Sequence, residues 1–313
     1  STKDADWWLH PKQGTDAALA LAMNFVIFKE FHLDNPDPYF TDYVRKFTDL
    51  PMLVCLDKRA GKDAYVAGRT LRASDLEAYA KAGNSQWKTV VWDETSDAPA
   101  VPQGSIGYRD EGKWNTLEID GETGKDIHPR LSFIDSSDEV VALNVPYFGD
   151  ENIPLFPGNT DDGPVLERAV PVKRIKTAEG EALVTTVFDL FGAFLGIDRG
   201  IGGQVAKGEM DNVPFTPRWQ QDITGVRAED VIRLMRAHGR WTQSVVSDRQ
   251  CLSWHHEHPH ALRNGRCSWR RLVPLRRAGE DPPRSRMGRI LIRTGLDPCL
   301  TPDERNKLLL RAC

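Results

Sequence analysis

From Asp16 to Phe28 the chain reads Asp-Ala-Ala-Leu-Ala-Leu-Ala-Met-Asn-Phe-Val-Ile-Phe, and no other stretch constrains the fold as tightly. Apolar residues occupy nearly every side of a helix written on this run, so no single orientation leaves a polar face to water. Such a helix has to be covered, and the expected cover is a sheet, as in layered α/β proteins. Asn24 interrupts the run well short of the ~20 apolar residues of a membrane span, which argues for a soluble product. Thr15 is a good N-cap, and Asp16 sits where a negative charge suits the positive end of the helix.

Other elements follow from spacing. A second helix is expected from Asp37-Pro38, a cap followed by proline at the first helical position, through Tyr39, Phe40, Tyr43, Val44 and Phe47, stopping before Pro51. A third is expected from Ser74, with Glu77 completing a capping box, to Gly83. From Trp87 to Lys176 the pattern turns to short β-rich runs: Thr89 to Trp92, Ser105 to Arg109, Trp114 to Ile119, Leu131 to Ile134, Val140 to Val145 and Val170 to Ile175. Turn signals such as Asp120-Gly121-Glu122 separate them, predicting a mostly antiparallel elaboration. Helical periodicity returns from Val187 to Gly196 and from Pro217 through Ile232, and no internal repeat is visible. The reading is therefore an α/β part over 1–86, a β-rich insertion over 87–178, a return to the α/β core over 179–234, and a distinct tail over 235–313.

The tail is set apart by residue usage. Through Val226 the chain carries 23 Lys+Arg against 36 Asp+Glu, whereas the last 87 residues carry 18 against 9. Those 87 residues hold 17 Arg but 1 Lys, with 4 of the 5 Cys and 5 of the 8 His. Selection for a basic surface would not discard lysine, since both side chains supply charge to a phosphate. A GC-rich gene read out of frame would, because arginine codons are then common.

Several features have the form of sites. At His10-Pro11-Lys12-Gln13-Gly14-Thr15-Asp16 a strand turns into a helix, and free N–H groups, a glycine and a carboxylate there can hold a nucleotide. On spacing alone it is first an ordinary capped helix. Gly200-Ile201-Gly202-Gly203 lacks the dinucleotide spacing and reads as a loop. Asn159, Asp161 and Asp162 resemble part of a calcium loop, but the distal Glu is missing, so a solvated turn is expected. Cys55, beside Leu53 and Val54, reads as a buried core thiol. Cys251, His255, His256, His258, His260 and Cys267 are zinc-type ligands in one short stretch, though their spacing fits no standard module. Taken alone, that stretch leaves zinc binding and nucleic-acid contact open.

Residues 5 to about 233 resemble the alpha subunit of membrane-bound respiratory nitrate reductase, of the dimethyl sulfoxide reductase superfamily. The resemblance rests on Trp8-Leu9-His10-Pro11-Lys12-Gln13-Gly14-Thr15-Asp16-Ala17-Ala18, Glu30 to Pro36, Tyr39 to Arg45, Pro51 to Val54, Ala67-Gly68-Arg69, Gly104 to Gly107, Gly112 to Asn115, Pro146 to Gly149, Leu183 to Val187 and Ile223 to Val226. It implies a Rossmann-like molybdopterin oxidoreductase core interrupted by the β-rich insertion. It also implies reduction of nitrate to nitrite at a molybdenum bis(molybdopterin guanine dinucleotide) centre with quinol-derived electrons. His10, Pro11, Gly14, Thr15 and Asp16 would then hold part of one guanine dinucleotide tail. The implied partners are an iron–sulfur beta subunit and a quinol-oxidising membrane gamma subunit, at the cytoplasmic face of the inner membrane; no nucleic-acid partner is implied. A related oxyanion, chlorate or selenate, is the alternative substrate.

The family's His/Cys ligands for a 4Fe-4S cluster and its molybdenum-ligating Asp have no counterpart here, the first cysteine being Cys55. The chain is therefore expected to be an internal piece, inactive alone, with no catalytic residue or metal ligand of its own. After about Leu234 the resemblance stops. Reading the family's expected Trp-Ser-His-Tyr-Val-Gly-Gln in another frame returns Val273-Pro274-Leu275-Arg276-Arg277-Ala278, the residues present. The tail over 235–313 is accordingly expected to be an out-of-frame translation without a reliable fold, and the zinc and nucleic-acid readings fall with it.

Overall fold

The computed structural model describes residues 7–59, 62–104, 107–108, 116–147, 165–239 and 290–292. Strand β1 (Trp7–Leu9) leads through a turn into helix α1 (Asp16–Ile27), which continues as a π-helical stretch over Phe28–Asp34. Helix α2 (Pro38–Phe47) starts as its sequence requires: the Asp37 carboxylate accepts the Tyr39 N–H at 2.8 Å, and Pro38 takes the first position.

α1 is buried on two sides, and its cover is mainly helical, with Leu9 of β1 joining it and Leu21 packing against strand residues such as Leu143 and Val170. Leu19, Ala22 and Val26 pack with Val226, Val231, Ile232, Leu234 and Met235. Phe25 and Phe28 pack with Phe188, Leu195, Ile197 and Ala206. Asp16, Ala17, Ala20 and Asn24 form the exposed stripe that remains. Small residues can lie there at little cost, while Phe25 and Val26, fully buried, each contribute about 1.5–3 kcal/mol.

The centre of the molecule is a closed barrel. Its strands are β2 (Leu53–Lys58) and β3 (Tyr65–Thr70) and, beyond a separate hairpin of β4 (Val91–Asp93) with β5 (Ala98–Ala100), β6 (Glu139–Pro146), β7 (Val165–Thr177) and β8 (Gly180–Thr186). Pairing is antiparallel throughout except for one parallel position, Tyr65 with Leu143. The barrel thus draws strands from both sides of the 87–178 span. Leu53 and Cys55 were legible as an apolar run, but their pairing partners in β8 lie more than a hundred residues away. Among the described residues, parallel pairing otherwise occurs between β1 and a later strand and at the single bridge of Ile197 with Ala206, so the mixed α/β character is present without a doubly wound parallel sheet.

Local expectations were overturned where tertiary partners compete. The expected helix from Ser74 to Gly83 is a short 3-10 turn, Ala73–Asp75, followed by successive turns in which Leu76, Tyr79, Ala82 and Ser85 each donate to the carbonyl three residues back. Asp75, not Glu77, closes the start: it accepts from the Arg72 N–H at 2.8 Å and pairs with Arg69. This spiral places Leu76 and Tyr79 against the core of Leu53, Leu71, Trp92 and Phe133. Leu131 to Ile134 forms no strand, because the Phe133 N–H is taken by the Asp189 carboxylate at 2.7 Å. Most of Ser105 to Arg109 and Asn159 to Asp162 lie outside the described residues.

Helix α3 (Val187–Leu195) is capped by Thr186, whose hydroxyl accepts the Asp189 N–H at 3.0 Å, and ends at Gly196 with φ +72. The helical pattern from Pro217 to Ile232 is two helices: α4 (Pro217–Thr224) stops at Gly225 with φ +77, and α5 covers residues 228–239. Of the tail, residues 235–239 complete α5, and β9 (Ile290–Ile292) pairs in parallel with β1, Trp7 opposite Ile290 and Leu9 opposite Ile292. This corrects the expectation of no fold for these residues. An Ile-Leu-Ile triplet has strong strand preference whatever its origin, and an open strand edge offers it unpaired N–H and C=O groups.

Candidate functional site

The junction between β1 and α1 carries all five candidate residues on one continuous turn. His10 is exposed, its ring edge-on to that of Trp8 at 5.1 Å, and Pro11 is half-buried. The Lys12 carbonyl accepts both the Thr15 N–H at 3.3 Å and the Thr15 hydroxyl at 2.7 Å. Thr15 therefore does not cap α1 with its side chain, contrary to the expectation from sequence. Its hydroxyl folds the turn back on itself instead. Gly14 sits at φ +76, which the turn requires, and a side chain there would meet nothing within 4 Å. Asp16 is exposed at the first position of the helix.

The result is a helix N-terminus open to a ligand. Among the described residues no acceptor meets the backbone N–H groups of Gly14, Asp16 or Ala17. Such groups, together with the positive end of the helix dipole, favour polar or anionic partners. The Asp16 carboxylate beside them can accept from a paired N–H edge.

What holds the turn in place was not legible in the sequence. The Lys12 N–H donates to the Thr224 carbonyl at 2.9 Å. That carbonyl is fixed by a fully buried amide: Gln220 Nε2 donates to Pro217 O and to Val226 O at 3.0 and 2.8 Å, while its Oε1 accepts from the Thr224 hydroxyl. The Thr224 hydroxyl in turn accepts the Val226 N–H at 3.0 Å. From α5, the Arg233 guanidinium lies 4.6 Å from the Trp7 ring and Arg236 pairs with Glu30. The end of α4 thus holds the turn, while α5 holds the strand before it and the helix after it.

Other buried charges belong to the scaffold. Asp189, fully buried at the start of α3, receives Arg199 Nη1 at 2.7 Å, Ser132 Oγ at 2.8 Å and the Phe133 N–H. Asp120 is buried too; despite that burial, N–H groups of Thr123 and Val101 and the hydroxyls of Thr123 and Tyr79 hold its carboxyl below the ordinary range. Arg168 differs. It occupies an inward position of β7, between Leu166 and Val170, and among the described residues only Nη2 finds an acceptor, Pro214 O at 3.4 Å. Its Nε and Nη1 have none. Burial lowers its pKa to about 10.

Among the described residues no group of three or more His, Cys, Asp or Glu side chains is arranged to hold a metal ion. The Cys251 to Cys267 cluster lies outside them. No described helix is long and apolar enough to cross a membrane.

No protein-family model matches the chain. Individual proteins do. It is 44% identical over 267 residues to the respiratory nitrate reductase 1 alpha chain of Escherichia coli, covering 81% of this chain and 21% of that one. It is 43% identical over 238 residues to the nitrate reductase alpha chain of Bacillus subtilis, covering 75% and 18%. A perchlorate reductase alpha subunit from Dechloromonas aromatica is 36% identical over 108 residues, 34% of this chain. The chain spans about a fifth of the length of the nitrate reductase relatives it matches. Identity at this level, sustained over three quarters or more of the chain in relatives of one kind, means that the chain belongs to the respiratory nitrate reductase alpha-chain family.

Proposed function

We propose that this chain is an internal part of the catalytic subunit of a respiratory nitrate reductase, and that its β1-to-α1 turn holds one guanine dinucleotide tail of a bis(molybdopterin guanine dinucleotide) cofactor. The observation that carries this reading is the open helix start at Gly14, Asp16 and Ala17, anchored through Lys12 to Thr224. The residues fit the group. Exposed N–H groups suit phosphate or carbonyl oxygens, Asp16 suits the N–H pair on the guanine edge, and Gly14 leaves room for close approach. When bound, the cofactor supplies the two-electron redox chemistry at molybdenum. The chain's own residues bind and orient: the Gln220–Thr224 lock fixes the turn, and α5 supports the strand that leads into it. β1, the turn and α1 would open the family's Rossmann-like unit.

In the whole enzyme, electrons would arrive from quinol through a membrane gamma subunit and an iron–sulfur beta subunit, with a 4Fe-4S cluster in the alpha chain itself. The complex would sit at the cytoplasmic face of the inner membrane. The chain alone would not reduce nitrate. Nitrate is favoured over chlorate, selenate or another oxyanion because the nitrate reductase matches run over 75–81% of the chain and the perchlorate reductase match over 34%. Residues from about 235 to 313 would be an out-of-frame translation, a reading that rests on their residue usage, 17 Arg but 1 Lys in the last 87 residues.

The test is Gly14→Val and Asp16→Asn in a full-length alpha chain carrying this segment, assembled with its partners. Each variant is expected to lower molybdenum and releasable guanine nucleotide together, with nitrite production falling about tenfold or more, as when a positioning contact is lost. Full cofactor content in both variants would overturn the assignment of the turn.

A further inference from the structure

Two local costs meet just before α4. Phe215 is fully buried, yet its backbone sits at φ +87. The other described non-glycine residues with positive φ are Asn84 and Asp97, types that tolerate that region, whereas an aromatic residue rarely does. Beside it Arg168, also fully buried, leaves Nε and Nη1 without an acceptor among the described residues. One carbonyl joins the two, since Arg168 Nη2 donates to Pro214 O. Rotation about the N–Cα bond of Phe215 swings the Pro214–Phe215 peptide, so the positive φ decides where that carbonyl points. The guanidinium is itself hemmed in from another side: a Cβ on Gly196 would lie 2.6 Å from Nη2. Strain of this kind persists only where the surroundings over-determine it, and it gathers at functional sites. A barrel that needed stability alone would be better served by an apolar residue at position 168.

α4 connects this spot with the candidate site. At its start the Phe215 ring stacks on Phe194 and meets Trp219 of α4 edge-on, with centroids 5.0 and 5.4 Å away, and all three rings pack with Val170 and Val172 of the barrel. Thr216 caps the helix by accepting the Trp219 N–H at 3.2 Å. Eight residues on, about 12 Å along the axis, the Thr224 carbonyl accepts the Lys12 N–H. α4 is thus a short strut between barrel and turn, locked at its far end by the Gln220 amide. We infer that Arg168 is a positioning residue for the cofactor turn: by holding the Pro214 carbonyl, and with it the strained Phe215 backbone, it sets where α4 begins and so where Thr224 meets Lys12. The inference rests on the proposed nucleotide-holding role of that turn.

The test uses a relative's full-length alpha chain carrying residues 7–239 in place of its matching stretch, assembled with its partners. Arg168→Met should release guanine nucleotide on mild warming about tenfold faster than the parent, as when a positioning contact is lost. The urea midpoint of the 313-residue chain should not fall with it. An arginine with a merely structural role would leave release unchanged or slower, so release at the parental rate overturns the inference. Should the midpoint fall, Leu71→Val or Leu71→Ala, chosen to match it, is the comparison, because Leu71 is fully buried in a cluster that contains no residue of α4. Release no faster than in that matched variant also overturns the inference. Gly14→Val separates the two readings: if it alone speeds release, the turn is the site and Arg168 does not position it, and if neither variant does, the turn is not the site.

Discussion

Replacing Arg168 by methionine should make this protein more stable. The side chain is 1% exposed, and burial lowers its pKa from the ordinary guanidinium range to about 10. At 1.36 kcal/mol per unit, that shift corresponds to roughly 3 kcal/mol of uncompensated desolvation. Methionine fills a similar length without charge. It forgoes the 3.4 Å bond to Pro214 O, a long contact worth about 1 kcal/mol at most. The net expectation is a gain of about 2 kcal/mol, which with a urea m-value of about 2 kcal/mol/M is a midpoint shift of about 1 M upward. Urea unfolding followed by tryptophan fluorescence at pH 8 measures it. The pH dependence is a second readout. Arg168 binds its proton less tightly when folded, so its penalty is complete below pH about 10 and is relieved as pH rises above that. The advantage of the variant should therefore be constant at neutral to mildly alkaline pH and shrink only above about 10. A variant less stable than the parent, with an unchanged slope, would show that the guanidinium is compensated and that the reasoning from its orphaned Nε and Nη1 is wrong.

Two further outcomes are expected. Asp189→Asn leaves Arg199, 5% exposed, without its counter-charge, and should cost about 3–5 kcal/mol in the same assay; a loss below about 1 kcal/mol would mean that Arg199 finds another partner. Cys55 is buried against Leu53 and Leu71, and burial raises its pKa, so alkylation by iodoacetamide should be slow in the folded chain at pH 8 and become fast only past the urea midpoint. Rapid modification without denaturant would contradict the packing of β2.

What the sequence revealed was local, and what it hid was long-range. α2 and α3 are legible because Asp37, Thr186 and Gly196 place their own signals at the ends. The site turn was found from Gly14 and Asp16, because a positive-φ glycine before a helix is a local event. The barrel was not found, since β2 pairs with β8 and β3 with β6 across intervening segments that no periodicity connects. The Ser74 capping box failed because Leu76 and Tyr79 gain more from the core of Leu53 and Trp92 than a short helix would give. The anchoring of Lys12 by Thr224 was invisible for the same reason: the turn and the end of α4 meet only in the folded chain.

α5 bears on the gene as well as on the fold. The change in residue usage begins near Arg227, yet Leu234 and Met235 are buried against α1, and Gly239 sits so close to Phe31 that a Cβ there would lie 2.1 Å from the ring. Random codons would seldom supply a buried leucine, a buried methionine and then the one residue small enough for that gap. On the proposed out-of-frame reading of the tail, the break in frame would fall downstream of codon 239 and upstream of codon 273. Resequencing that short interval, and trimming expression clones after residue 239 instead of 234, would leave α1 with its full cover.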